Sequence, residues 1–290
     1  MKKILHLFLL LLLTCLNTHA QNCSVTISGN NCTNTQLNAN ISGGEAVQIT
    51  WYQFDYLVFG SDTISSPKDI SIVAGNNGTG SAANQLGFPG GGIAVDAAGN
   101  VYIADHANNR IQKWAPGATS GVTVAGGNGG GSAGNQLSGP ADVFVDAAGN
   151  IYVADNNNFR IQKWAPGATS GVTVAGGNGS GSAANQLAAA RGVYVDKQGN
   201  IYIADTYNYR IQRWTPGATK GKTVAGGNGI GTAANQFYYP IDVYLDAAKN
   251  IYVADAFVED ASGHRVQKWA PGATGGGTGA RTITAGPTRP

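Results

Sequence analysis

The chain has 290 residues, only 12% of them charged, and 43 are Gly. Two of its 18 Lys and Arg, and none of its 16 Asp and Glu, lie in the first twenty residues, so the remainder is formally neutral. A neutral, weakly charged chain lacks the clustered basic surface that phosphate neutralisation requires, which excludes nucleic acid as an expected partner.

Residues 1–20 read as a secretory signal peptide. Lys2 and Lys3 precede an apolar run from Ile4 to Leu13, and Thr18-His19-Ala20 is a small-residue cleavage site. The run is too short for a stable membrane span, and no later stretch is long and apolar enough for one. Cys15 follows Leu13-Thr14 and lacks the small residue expected before a lipidated Cys. The exported chain keeps Cys23 and Cys32, and export permits a disulfide between them as a local staple. A secreted or cell-surface location is the expectation.

Residues 21–66 form a separate short piece rich in Ser, Thr and Asn. Alternation at Ser24-Val25-Thr26-Ile27 and from Val47 to Tyr52 predicts a few short strands. The piece is too short for a full immunoglobulin-type sandwich of about 100 residues, and a cap on a repeat array suits it.

From there to Pro290 the chain repeats itself, so residues 67–290 are read as one repeat domain. Asp96-Ala97-Ala98-Gly99-Asn100 returns at Asp146, at Asp196 and at Asp246, each time 50 residues on. A fixed period of this size signals a repeat architecture. In the second copy Val143-Phe144-Val145 predicts a strand, Asp146–Asn150 a turn and Ile151–Asp155 a second strand. Asn156–Phe159 follows as a loop, Arg160–Trp164 as a third strand, Ala165–Thr169 as a turn and Gly171–Ala175 as a fourth strand. A Gly-rich connection then leads to the next copy. The expectation is all-β: a β-propeller of four-stranded antiparallel blades.

The string Asn150-Ile151-Tyr152-Val153-Ala154-Asp155, then Asn158, then Arg160-Ile161-Gln162-Lys163-Trp164 resembles the NHL repeat. It recurs from Tyr102 to Trp114 and from Tyr202 to Trp214, and from Tyr252 to Trp269 with a five-residue insertion. The resemblance covers roughly residues 70–286. It implies an NHL-type propeller and no single activity, since such folds host many. The fourth-strand signature occurs once more than the others, at Ile72-Val73-Ala74-Gly75 and finally at Ile283-Thr284-Ala285-Gly286. Four copies read as an incomplete propeller continuing past Pro290; the alternative is a tight four-bladed ring with a spare strand.

Positions that never vary suit structural roles. Asp105 and Arg110, with Asp155 and Arg160, Asp205 and Arg210, and Asp255 and Arg265, flank the second hairpin loop and read as hairpin-closing ion pairs. Trp114, Trp164, Trp214 and Trp269 read as packing between blades. The Gly-rich connections lack the following helix of a phosphate loop and carry Asn or Ser where a calcium repeat needs Asp, so they read as flexible turns.

Little suggests catalysis. Outside the leader the chain has two His, His106 and His264, with no zinc spacing and no nucleophile elbow, and no cofactor is implied. Asp142 and Asp242 replace Gly92 and Gly192 at the start of the inner strand. They are weak candidates for a divalent ion near the axis, against capping of the strand start.

The copies differ on one face. Its loops and connections carry Phe88, His106, Asn109, Phe159, Arg191, Tyr207, Tyr209, Tyr238, Tyr239 and His264, the candidate ligand-binding face. Aromatics with Asn and few charges suit a protein, peptide or glycan partner. The sequence thus leads to a secreted, non-catalytic binding or interaction module. The alternative is a metal-dependent propeller hydrolase or lyase, lactonase-like or amidating-lyase-like, using Asp142 and Asp242.

Overall fold

The computed structural model describes residues 71–256 and 264–273. The leader, the segment 21–66, Cys23, Cys32 and Ile283–Gly286 lie outside the described residues. Every described residue belongs to one unit of the chain, which begins at Ser71.

That unit holds four consecutive blades. Blade 1 contains β1 (Pro89–Val95), β2 (Val101–Asp105), β3 (Arg110–Trp114) and β4 (Val122–Gly126). Blade 2 contains β5 (Pro140–Val145), β6 (Ile151–Asp155), β7 (Arg160–Trp164) and β8 (Val172–Gly176). Blade 3 contains β9 (Ala190–Val195), β10 (Ile201–Asp205), β11 (Arg210–Trp214) and β12 (Lys222–Gly226). Blade 4 shows β13 (Pro240–Leu245), β14 (Ile251–Asp255) and β15 (Arg265–Trp269) among the described residues. Each sheet is antiparallel with its strands in chain order, as in a propeller blade. The extra signature Ile72–Gly75 forms no strand, and Ile72 and Val73 are exposed.

Blades stack through their apolar faces. The front of blade 2 sets Val143, Ile151, Val153 and Trp164 against Tyr102, Ala104, Ile111 and Leu137 at the back of blade 1. The same residue types recur between blades 2 and 3, and again between blades 3 and 4. The four repeated Trp are all buried, with Trp164, Trp214 and Trp269 in these inter-blade clusters, which is the packing role the sequence suggested.

The outermost faces are different. Ile93 and Val95, at the front of blade 1, are 67% and 63% exposed, whereas Val193 and Val195 in blade 3 are 4% and 5% exposed. At the back of blade 4 Val266 is 44% exposed, whereas Ile111, Ile161 and Ile211 are fully buried. Among the described residues blade 4 therefore does not cover blade 1.

A polar clasp locks each blade to the connection that enters it. Asp105 Oδ1 accepts the Gly87 N–H at 2.7 Å, and Oδ2 accepts Arg110 Nε at 2.7 Å and Asn108 Nδ2 at 2.9 Å. Arg110 then donates to the carbonyls of Ser81, Ala82 and Gln85. Asp155 with Arg160 and Asp205 with Arg210 repeat the arrangement. In blade 4 Asp255 accepts Arg265 Nε at 3.0 Å and the N–H groups of both Tyr238 and Tyr239. The pair thus does more than close a hairpin: it fixes the following loop geometry from a buried position.

The Gly-rich connections are correspondingly ordered, which corrects the expectation of flexible turns. Asn128 Nδ2 donates to Gly126 O and Asn135 O, while Gln136 Nε2 donates to Asn128 O. The same three bonds recur around Asn77, Asn178 and Asn228. Glycine is required at Gly126, where φ is +68° and an added Cβ would stand 2.4 Å from Asn109 O.

Burial pushes the Asp155 and Asp205 carboxyls up, while a backbone N–H, the Asn and the Arg of each clasp hold them down. Removing one partner leaves the other buried and unpaired. Asp155→Ala should therefore lower stability by about 3–5 kcal/mol, seen as a fall in the urea midpoint followed by Trp fluorescence. An unchanged midpoint would show that the clasp is dispensable.

Candidate functional site

The loops of the variable face rise directly from the clasps. Between β2 and β3, β6 and β7, and β10 and β11 the chain makes one 3₁₀ turn, His106–Asn108, Asn156–Asn158 and Thr206–Asn208. Asn108, Asn158 and Asn208 each point back to the clasp carboxylate. The next residue, Asn109, Phe159 or Tyr209, is left-handed with φ of 52–53°. Asn109 Oδ1 accepts the Gly139 N–H at 2.8 Å, and Tyr209 packs on the core between blades 3 and 4. Phe159 is half-buried. These three belong to the scaffold of the face more than to its outer surface.

Other candidates act as struts. His106 Nδ1 lies 3.2 Å from Pro140 O, and at the equivalent position Thr206 Oγ1 donates to Pro240 O at 2.7 Å. Phe88 is exposed and sets its ring edge-on to His106 at 6.3 Å. His264 is exposed and lines an apolar cleft of about 360 Å³ with Ile241 and Val266 on the open back of blade 4.

Three candidates converge. In the inner strand of blade 3 the ladder slips, so that Arg191 and Gly192 together oppose Ala204. Such a bulge turns a side chain out of the ladder. The Arg191 guanidinium stacks on the Tyr239 ring at 4.8 Å, and its buried Nε has no partner among the described residues. Tyr207 meets Tyr239 edge-to-face at 5.7 Å, with the two hydroxyls 3.3 Å apart. The Tyr207 backbone is tied to Ala188 O and that of Tyr239 to the Asp255 clasp. Tyr238 shares the Asp255 carboxylate through its backbone N–H.

The cluster's charge distribution is uneven. The hydrogen bond to Tyr239 lowers the Tyr207 phenol, and Arg191 adds to the effect. Tyr239 is raised, first by burial and then by the same hydrogen bond. The result is an exposed phenol beside a cation and a ring face, suited to hydrogen-bond acceptors and to apolar or sugar surfaces.

Asp142 and Asp242 lie at the corresponding bulges of blades 2 and 4. Asp142 Oδ1 accepts its neighbour Val143 N–H at 2.8 Å, and Oδ2 accepts Val193 N–H of the next blade at 2.7 Å. Asp242 Oδ1 accepts Val243 N–H at 2.7 Å. The glycine on the blade before each Asp is a seat: a Cβ on Gly92 would stand 2.9 Å from Val143 N, and one on Gly192 would stand 2.7 Å from Asp242 Cα. The alternation of Gly and Asp in the sequence was the visible trace of this packing. Among the described residues no group of three or more His, Cys, Asp or Glu gathers in metal-holding geometry.

Burial pushes the Asp142 carboxyl up to about 7; the Val193 and Val143 N–H groups oppose the rise and the charge of Asp242 adds to it. Asp242 rises in the same direction, also through burial, although the residue is exposed. A raised carboxyl contributes stability that is full below its unfolded value near 3.8 and is lost as pH climbs through about 7. The stability lost on Asp142→Gly should therefore be larger at pH 5 than at pH 8 in urea unfolding. A difference independent of pH would overturn this account of the bulge.

The model of the NHL repeat matches residues 91–114, 137–164 and 187–214, which are the inner three strands of blades 1 to 3. No curated protein is similar enough to count as a relative. Among solved structures, a structural genomics protein of unknown function from Bacteroides thetaiotaomicron is 21% identical with a TM-score of 0.50; the match covers 62% of this chain and 46% of that one. A nidogen/laminin complex is 20% identical with a TM-score of 0.47, covering 64% and 63%, and a streptogramin B lyase is 14% identical with a TM-score of 0.44, covering 68% and 55%. The chain thus spans less than two thirds of each of these chains, and the likeness is one of fold. The chain thus carries three matched NHL repeats, each spanning the inner three strands of one blade of a β-propeller.

Proposed function

We propose that this protein is a secreted, non-catalytic binding module whose variable face takes a protein, peptide or glycan partner. The observation that carries the reading is the Arg191–Tyr207–Tyr239 cluster. It is built on a bulge, anchored through a clasp, and left open: Tyr207 is 54% exposed. The equivalent bulge residues are Gly91, Ala141 and Ile241, so the cluster is peculiar to the junction of blades 3 and 4. Aromatic and Arg side chains dominate binding energy where they are presented together.

The alternative, a metal-dependent hydrolase or lyase at Asp142 and Asp242, has less support. Both Asp142 oxygens already accept backbone N–H groups, as expected of residues that hold a strand start in place.

An array of immobilised glycans and peptides probed with the full chain tests the reading. A specific signal should fall roughly 30-fold, or about 2 kcal/mol, in Tyr207→Ala and in Tyr239→Ala, with the thermal midpoint unchanged. No signal from the unaltered chain, or one indifferent to both substitutions, would count against the proposal.

A further inference from the structure

Each internal junction in this molecule is made by the same two surfaces. A front, with its inner-strand Val and its Trp, seats on a back that presents Ala and Ile from the second and third strands. Among the described residues the front of blade 1 is open, with Ile93 and Val95 in the places of Val143 and Val145. Among the described residues the back of blade 4 is open too, with Ala254 and Val266 in the places of Ala154 and Ile161, and Tyr244 58% exposed. The aromatic contacts that run from Phe144 to Tyr194 at 5.3 Å and on to Tyr244 at 5.4 Å stop there.

A polar feature makes the match more specific. The hydrogen bond from Val193 N–H to Asp142 Oδ2 crosses from blade 3 to blade 2. Its counterparts at the free ends are Ile93 N–H and Asp242 Oδ2. The alternation of Gly92, Asp142, Gly192 and Asp242 also continues in phase when a blade like blade 1 follows blade 4.

We propose that these two faces form an interface between copies of this chain, the front of blade 1 in one copy seating on the back of blade 4 in another. The interface is heterologous and continues the internal junction, so its rotation tends toward ring closure. The occupant is a second copy, because a blade of this chain supplies both the apolar front and the Ile93 N–H that match the back of blade 4 and Asp242. The described blades of two copies number eight, within the usual range of about four to eight, so the assembly is a dimer with two identical junctions. The inference is independent of the ligand face, which lies on the loops.

Light scattering and sedimentation of the full chain over a range of concentrations test it. The expected mass is twice that of the chain. Ile93→Asp and Val266→Asp, each on a face already exposed in the single copy, should each give a mass of one chain with unchanged circular dichroism. Mixed together they should recover a dimer through the one intact pair of faces. Should either Asp variant fail to fold, Ile93→Thr and Asp242→Gly serve in its place and should each weaken the dimer at least tenfold. A wild-type monomer at all concentrations overturns the proposal, whether the remainder of the chain covers these faces or nothing does. An oligomer whose mass ignores both substitutions overturns it as well.

Discussion

The buried Asp–Arg clasp is the constraint on which the rest of the blade depends. A carboxylate withdrawn from water needs full hydrogen bonding. Asp105 obtains it from a backbone N–H, an Asn amide and the Arg110 Nε, which ties three chain segments to one point. The other guanidinium nitrogens of Arg110 hold carbonyls of the incoming connection. Strands, 3₁₀ turn and connection are thereby positioned together, and loop residues outside the clasp are free to change without unmaking the blade.

The clasp also links architecture to the proposed ligand face. In blade 4 the carboxylate of Asp255 accepts two successive N–H groups, those of Tyr238 and Tyr239. The stacking platform under Arg191 is therefore set by a buried structural charge and not by a mobile loop. Apolar burial between blades supplies the bulk of the driving force, while the polar clasp determines where the rim residues stand.

Much of this was legible in the sequence because the repeats expose their own grammar. Strand order, the packing of Trp164 and Trp214, and the pairing of Asp155 with Arg160 follow from fixed positions in four copies. The variable face was legible as a contrast between copies. What escaped was geometry that composition conceals. Gly-rich connections look flexible, yet Asn128 and Gln136 stitch one into a defined loop. Asn109, Phe159 and Tyr209 look like surface variation, yet a shared left-handed backbone places them in the framework. The slip that lifts Arg191 out of its ladder depends on register, and the exposed end faces depend on what each blade meets; neither is written in any single strand.

The Gly–Asp alternation has a consequence for how such a protein can lengthen. Asp142 fits beside blade 1 because Gly92 leaves room, and Asp242 fits beside blade 3 because Gly192 does. Duplicating a single Asp-bearing blade would set two raised carboxyls side by side with no vacant Cβ position between them. Duplicating a pair preserves every contact. The packing therefore favours the pair of blades, about 100 residues, as the unit that can be repeated without a clash at the axis, although the printed repeat is one.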